Sequence, residues 1–355
     1  MATIKKRMKG NKVVAYQAQI YAGKDANGKK QYIWVTKKEL RECKEAAMEI
    51  ELSLKENKLS NVRNMRFSSW CDKWRELNRG RLSPSTYKIY TYYINTHYKP
   101  YFKDTKLKDI TELQIKDFIN QKSKKLSQST VHKLACVLNE ILQDALKGRN
   151  PMRDIEIPPN ECNFKPYVPN NDEFQRILDY AHKKRPDRRD EIIILLGAKV
   201  GLRRGEIFAL KRDDLFEKTS EIRIDESRVI GEEGYVDSKP KSKKSYRIVQ
   251  APQYIFALIR EYLSKQNVIS ERLFDISPNY WTHYFARMMD EIGLPQVRFH
   301  DLRHYRASTF YLEGIPDQYV AGYLGHDIIV LKQIYQHLDL DTDKRINEQI
   351  KKGLL

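Results

Sequence analysis

Apolar and polar positions along the chain alternate between strand-like and helical periods, and each stretch predicts its own kind of element. Residues 13–21 alternate partly as in a strand and are rich in β-branched and aromatic side chains. Asp25, Ala26, Asn27 and Gly28 supply turn chemistry, and residues 31–36 (Tyr32, Ile33, Trp34 and Val35 among them) read as the returning strand. Residues 37–55 then take a helical period, with Leu40, Cys43, Ala47, Ile50, Leu52 and Leu54 on the apolar side. Together they predict a small sheet with one packed helix over residues 1–58, followed by a polar linker at 57–66.

Residues 65–150 predict helices throughout. The first, 67–77, carries Trp70 and Trp74 four positions apart, which reads as a core pair. Ser83 is the expected N-cap of the next, with Pro84 in its first turn and Tyr87, Tyr90, Tyr92, Tyr93 and Tyr98 beyond. Helices at 111–122 and 127–146 complete the unit, the second capped within 127–130 and stopped at Gly148. Residues 150–171 hold Pro151, Pro158, Pro159, Pro166 and Pro169, show no periodicity, and read as a second connector. Beyond it, helices are expected at 172–182 (Asp172 as cap), 191–199, 204–210, 252–265, 279–292, 302–313 and 317–324. Strands are expected at 221–224, 228–230 and 246–249, the last two joined by a basic hairpin at 238–244. The predicted fold class is therefore a multidomain α+β chain. It has a sheet-plus-helix unit (1–58), an all-helical unit (65–150) and a mixed, mainly helical unit with a small antiparallel sheet (165–355).

Charge adds a partner to this outline. The chain carries 65 Lys and Arg against 47 Asp and Glu, a net charge of +18, which favours a polyanion and most simply nucleic acid. Up to Lys38 the first unit sets Lys5, Lys6, Arg7, Lys9, Lys12, Lys24, Lys29, Lys30, Lys37 and Lys38 against Asp25 alone. A β-ribbon can enter a major groove, so Lys5, Lys6, Arg7, Lys9, Lys12, Lys29 and Lys30 are candidate DNA-binding residues. The plain alternative is a basic surface adding only unspecific phosphate attraction. Cys43, Cys71, Cys136 and Cys162 lie far apart with no C-x-x-C pair, which argues against a zinc site or disulfide framework and for buried thiols in a reducing cytosol. No apolar segment follows the basic N-terminus as in a secretory signal, and the longest apolar run, 192–198, is too short to span a bilayer. No membrane partner is expected.

The chemistry concentrates in the third unit. Arg203 lies in the Gly-bounded turn Gly201-Leu202-Arg203-Arg204-Gly205-Glu206, and Arg303 in His300-Asp301-Leu302-Arg303-His304. A planar guanidinium binds two phosphate oxygens at once and keeps its charge, so two such residues suit a phosphodiester. Glu206 could orient Arg203 or cap the following helix; a buried structural Arg–Glu pair is the plainer reading. His300 and Arg303, three apart, share one face of a helix start, and His326 follows a Gly turn. Histidines in register with arginines suggest proton handling. Tyr335 would be the nucleophile, its phenol helped to ionise by neighbouring cations and a His base. Among 22 tyrosines, composition gives it no distinction. Side chains supply the cations and no carboxylate cluster stands ready for two metals, so neither metal nor cofactor is expected.

In this order and spacing, Gly-Leu-Arg-Arg-Gly-Glu, a Lys in a β-hairpin, His-Asp-Leu-Arg-His, Leu-Gly-His and a Tyr nine residues later resemble the tyrosine recombinase (phage integrase) family over residues 165–355. Residues 65–150 look like the family's core-site-binding domain. Residues 1–58 look like the arm-site-binding domain of integrases from temperate phages and conjugative transposons. The resemblance implies that Tyr335 attacks the scissile phosphate to form a 3′-phosphotyrosyl link. It implies that Arg203, Arg303 and His326 stabilise the transition state, that Lys241 protonates the leaving 5′-oxygen and that His300 is base towards Tyr335, with Glu206 in support. Lys241 is placed by Ser242, Ser245 and Arg247 in the family register; Lys239 is the alternative lysine. The implied enzyme is a site-specific recombinase that integrates and excises a mobile element. It would work as a homotetramer on duplex DNA with core and arm sites, alongside an excisionase or a host DNA-bending protein. A type IB topoisomerase, a chromosome-dimer resolvase and a non-catalytic DNA-binding descendant are the alternatives.

Overall fold

The computed structural model describes residues 2–9, 12–24, 30–160, 167–239, 246–266, 270–325, 328–329 and 331–332. The chain divides into two compact units, Met1–Cys162 and Asn163–Leu355.

The first unit opens with an antiparallel sheet of β1 (Thr3–Lys9), β2 (Lys12–Lys24) and β3 (Lys30–Lys37), in the order β1-β2-β3. The sequence pattern finds β2 and β3 but not β1, whose segment is mostly Lys and Arg and shows no alternation. It is an edge strand, held by pairing with β2, and its charges suit an edge. One sheet face packs Ala18 and Ile20 on Cys43 and Ala47 of α1 (Leu40–Arg63). The expected linker at 57–66 is a correction: α1 continues through Arg63, since no Gly or Pro interrupts it. Val62 and Met65 pack on the next core, so the helix runs from one hydrophobic cluster to the other.

That core belongs to α2 (Phe67–Asn78), α3 (Pro84–Tyr93), a π-helical turn at Ile94–Tyr98, α4 (Lys99–Phe102), α5 (Glu112–Ser123) and α6 (Gln128–Leu146). Trp70 and Trp74 are core residues, their indoles donating to the Ile141 carbonyl at 3.0 Å and to Asp144 Oδ2 at 2.7 Å. Ser83 caps α3 by accepting from the Thr86 amide. Tyr87 and Tyr98 are buried, whereas Tyr92 faces solvent. Cys43 and Cys71 are buried as expected; Cys136 is exposed, because it falls off the apolar stripe of α6, and Cys162 lies outside the described residues.

The second unit is built around α8 (Arg189–Ala198), which buries Ile192 through Leu196 and is preceded by α7 (Asn171–Lys184). Asn170, not Asp172, caps α7, sharing a capping box with Glu173. After α9 (Arg204–Ile207) come β4 (Leu215–Phe216), β5 (Glu221–Ile224), β6 (Ser227–Ile230), β7 (Tyr235–Ser238) and β8 (Arg247–Gln250). The expected pairing of the last two strands across a basic hairpin is a second correction. A turn in which the Gly231 amide donates to the Gly234 carbonyl folds β6 onto β7, and β8 pairs with β5, which turns Ile222, Ile224 and Val249 into the core. Residues 240–245, which join β7 to β8, lie outside the described residues. Around α8 pack α10 (Gln253–Ser264), α11 (Pro278–Glu291) and α12 (Asp301–Leu312), while α13 (Asp317–Leu324) forms a small satellite core with Ala307 and Phe310 of α12. Among the described residues no helix is long and apolar enough to cross a membrane.

Candidate active site

The chain leaves α8 through Gly201, whose φ of +79° suits glycine and whose Cβ, if added, would stand 2.5 Å from Leu324 Cδ2. This turn delivers Arg203 to the N-cap of α9, with Glu206 at its third position. Glu206 fills both roles weighed for it: Oε2 accepts from the Arg203 amide at 2.8 Å and Oε1 from Arg203 Nη1 at 2.8 Å. Gly205 leaves the helix no slack, since a Cβ there would collide with Ser227 Oγ.

Two further arginines arrive at the same carboxylate. Arg247, the first residue of β8, donates Nη1 and Nη2 to the two Glu206 oxygens at 3.0 and 2.9 Å. Arg303, in the first turn of α12, comes within 4.0 Å of Glu206. The other ends of the three guanidinium groups meet three consecutive carbonyls at the C-terminus of α13. Arg247 Nε donates to Tyr323 O at 2.8 Å, Arg303 Nη2 to Leu324 O and Arg203 Nη2 to Gly325 O. A helix end leaves its last carbonyls without helical partners and carries negative partial charge, so it suits such cations. Arg303 also donates Nη1 to Gly201 O at 2.5 Å.

The charges reflect this packing. Burial works against ionisation of Glu206, but the bonds and charge of Arg247, with Arg303 and Arg203 behind, bring its carboxyl down to about 2. Burial, then the Arg203 charge, lowers the proton affinity of Arg303, against the pull of Glu206. Arg303 is 1 % exposed, whereas the Arg203 side chain is 32 % exposed, so Arg203 offers the reachable fork. His300 occupies the N-cap position of α12 without a capping bond from its side chain, and meets His304 edge to face at 4.9 Å between ring centres. Although its surface reaches solvent, the protein packed around it, then His304 and Arg303, hold its imidazole down at about 4. Asp301 is buried and accepts from the Arg298 amide at 2.8 Å and from its side chain at 2.9 and 3.2 Å, which fixes the start of α12.

Of the six candidate catalytic residues, the structure therefore brings together Arg203, Arg303 and His300. Lys241, His326 and Tyr335 lie outside the described residues; Lys239 is exposed just past β7. Sequence reasoning did not find the parts played by Arg247 and Asp301. For Arg247 the only signal was its register after Lys241, and for Asp301 its place between His300 and Arg303. Among the described residues no group of three or more His, Cys, Asp or Glu could hold a metal ion.

In the first unit, strand parity sorts the candidate DNA-binding residues. Lys5 pairs with Gln17, which pairs in turn with Thr36, and Arg7 pairs with Ala15, on the sheet face turned away from α1. The same face carries Gln19 and Trp34, the latter 51 % exposed, and by alternation Lys30. Lys6 belongs to the opposite parity with Tyr16 and Lys37. Lys29, and the side chains of Lys9 and Lys12, lie outside the described residues.

Known proteins resemble this chain in sequence and fold. The Phage integrase family profile matches residues 169–341, and the Phage integrase N-terminal SAM-like domain profile matches 66–123. A relative named Tyrosine recombinase XerC-like, from Caldanaerobacter subterraneus subsp. tengcongensis, is 25% identical over 91% of this chain and 92% of its own. The integrase of Mycobacterium phage D29 is 23% identical over 75% of this chain and 73% of its own. Among solved structures, the Tn1549 transposon integrase in complex with a circular intermediate DNA superposes with a TM-score of 0.66, at 16% identity, over 81% of this chain and 99% of that one. A lambda integrase dimer bound to a COC′ core site gives 0.61 at 15% identity over 93% of both chains. At these identities the structures speak for the fold alone. The matched profiles, the relative aligned along nearly its whole length and the arginine cradle agree, and the chain belongs to the phage integrase family of tyrosine-type site-specific DNA recombinases.

Proposed function

We propose that this chain integrates and excises a mobile element by cutting and rejoining DNA at paired sites, with Tyr335 as nucleophile. The observation that carries the reading is the cradle in which Arg203 and Arg303 are held between the Glu206 carboxylate and the last carbonyls of α13. Two cations fixed in this way need no rearrangement as charge grows on a pentacoordinate phosphorus. Arg203 supplies the accessible fork and Arg303 the buried positive charge behind it. The Tyr335 phenolate forms the new P–O bond as the bond to the 5′-oxygen breaks. The phenolic proton passes to His300, which is neutral at physiological pH, and Lys241 gives a proton to the leaving oxygen. The 3′-phosphotyrosine keeps the bond energy, and attack by a partner strand's 5′-hydroxyl completes the exchange. His326 joins the arginines on the non-bridging oxygens.

On this reading the active form is a homotetramer on two duplexes. A lambda integrase tetramer bound to a Holliday junction shares the fold at a TM-score of 0.58 over 91% of this chain. The helical part of the first unit grips the core site, and the open sheet face with Lys5, Arg7 and Lys30 reads distal arm sites. An excisionase or a host DNA-bending protein would set the direction of exchange.

The test incubates the full chain with a nicked duplex carrying a candidate attachment site, without added metal, and resolves products on a denaturing protein gel. A DNA-linked band should appear with wild type and vanish with Tyr335→Phe. A surviving band would move the nucleophile elsewhere, and absence of any band across pooled genomic fragments would remove the cutting activity from the reading. Relaxation of supercoils without exchange between paired sites would favour the topoisomerase alternative.

A further inference from the structure

Arg247 is the one arginine of the cradle to which the reaction above gives no part. It is 8 % exposed, and its bonds include two to Glu206, at 3.0 and 2.9 Å, and one to Tyr323 O at 2.8 Å. Charge balance does not explain it. Arg203 and Arg303 already stand against the same single carboxylate, and burying another cation is costly unless its bonds bring something in return. What Arg247 adds is direction. Its two donors take both Glu206 oxygens and so fix the plane of the carboxylate. Among the described residues, the Arg203 side chain then makes one bond to Oε1 and one to Gly325 O, neither of which uses the whole fork. Without Arg247, Glu206 could turn and take Arg203 fork to fork, occupying the donors a phosphate needs. The bond to Tyr323 O acts on the other side. It holds the turn whose next two carbonyls receive Arg303 and Arg203.

We infer that Arg247 is a positioning residue for strand cleavage: it holds Glu206 and the last turn of α13 in the register that aims Arg203 at the scissile phosphate, without touching DNA itself. The inference rests on the reading of Arg203 given above. It ties three separated segments, the start of β8, the turn after α8 and the end of α13, into one device.

The test measures single-turnover cleavage of a nicked core-site duplex by the full chain, with binding measured separately by gel shift. Each duplex is made in two forms, with the natural scissile phosphodiester and with a methylphosphonate that removes its negative charge. Arg247→Lys and Arg247→Met should bind DNA within about twofold of wild type but cleave the phosphodiester about 10- to 100-fold more slowly, the scale expected when a catalytic group is misplaced by about 1 Å. On the methylphosphonate, where aiming a cation matters less, their deficit relative to wild type should shrink; a general loss of structure would slow both substrates alike. Glu206→Gln combined with Arg247→Met should be little slower than Glu206→Gln alone, because one residue acts through the other. Arg203→Ala separates the aimed group from the group that aims it. If it cleaves like wild type, the reading of Arg203 fails. If it is impaired while the Arg247 variants cleave at the wild-type rate, or lose equally on both substrates, the positioning role fails. Loss of a cooperative melting transition in Arg247→Lys would also overturn it, making Arg247 a structural residue only.

Discussion

Arg303 and Gly201, 102 residues apart in sequence, are joined by a hydrogen bond of 2.5 Å from Nη1 to the carbonyl oxygen. The glycine is needed twice over at this point, for its φ of +79° and for the space its missing Cβ leaves to Leu324. Gly201→Ala should therefore cost about 2–5 kcal/mol in urea unfolding, backbone strain and overpacking together. Because Leu324 and its carbonyl would be pushed, cleavage should fall much more than DNA binding. A variant with wild-type stability and cleavage would show that the turn adapts freely.

Glu206→Gln removes the carboxylate that balances three arginines and leaves its shape. Breaking a buried ionic network from one side typically costs about 3–5 kcal/mol, and that is the expected loss near neutral pH. Folding depresses the Glu206 carboxyl from 4.5 to about 2, so its contribution is complete above pH 4.5 and is lost as pH falls towards 2. The gap between wild type and variant in equilibrium unfolding should narrow over that window and stay constant above it.

His300 behaves in the opposite sense to a histidine that gains a carboxylate. Its folded value, about 4 against an ordinary 6.5, means that the unfolded chain binds the proton more readily between these limits. Its contribution to stability is complete above pH 6.5 and is lost as pH falls to 4, and His300→Gln should remove that part of the slope. In the role proposed for it, base towards Tyr335, it should remain unprotonated well below neutrality. Single-turnover cleavage measured between pH 7 and 5 should then show no acid limb from this group; a limb centred near 6.5 would contradict the crowded environment described for it.

On the open sheet face, parity makes a prediction that charge alone does not. Arg7→Ala and Lys5→Ala should each weaken binding to an arm-site duplex and lower the salt slope of affinity by about one. Lys6→Ala, whose side chain takes the other parity, is the internal control. Equal losses at all three positions would reduce the face to a diffuse basic surface.

Much of this molecule could be read locally. Trp70 and Trp74 announced a helical core by spacing, Ser83 and Pro84 a helix start by chemistry, and Arg203 with Glu206 a pair three residues apart that could be both cap and clamp. The misreadings share a cause. β1 is a strand through its pairing with β2, and β8 pairs with β5 while β6 pairs with β7, partnerships set by tertiary contacts rather than local pattern. Helix α1 ran through a polar stretch because polarity alone does not stop a helix that lacks Gly and Pro. Arg247 was harder still: its partners lie 41 and 76 residues away, and no local pattern points to either.

Three occupied carbonyls in a row at the end of α13 also decide where the next segment of chain begins. Tyr323, Leu324 and Gly325 are each pinned by an arginine, so the chain leaves this helix from a fixed anchor. Ten positions further along the sequence stands Tyr335, and between them Leu331 is buried in the small core that α13 shares with Ala307 and Phe310 of α12. A change before Gly325 would disturb the cations and this anchor together. On the proposed reading, an insertion or deletion between Leu331 and Tyr335 would leave the arginine bonds in place and shift only the residue offered as nucleophile.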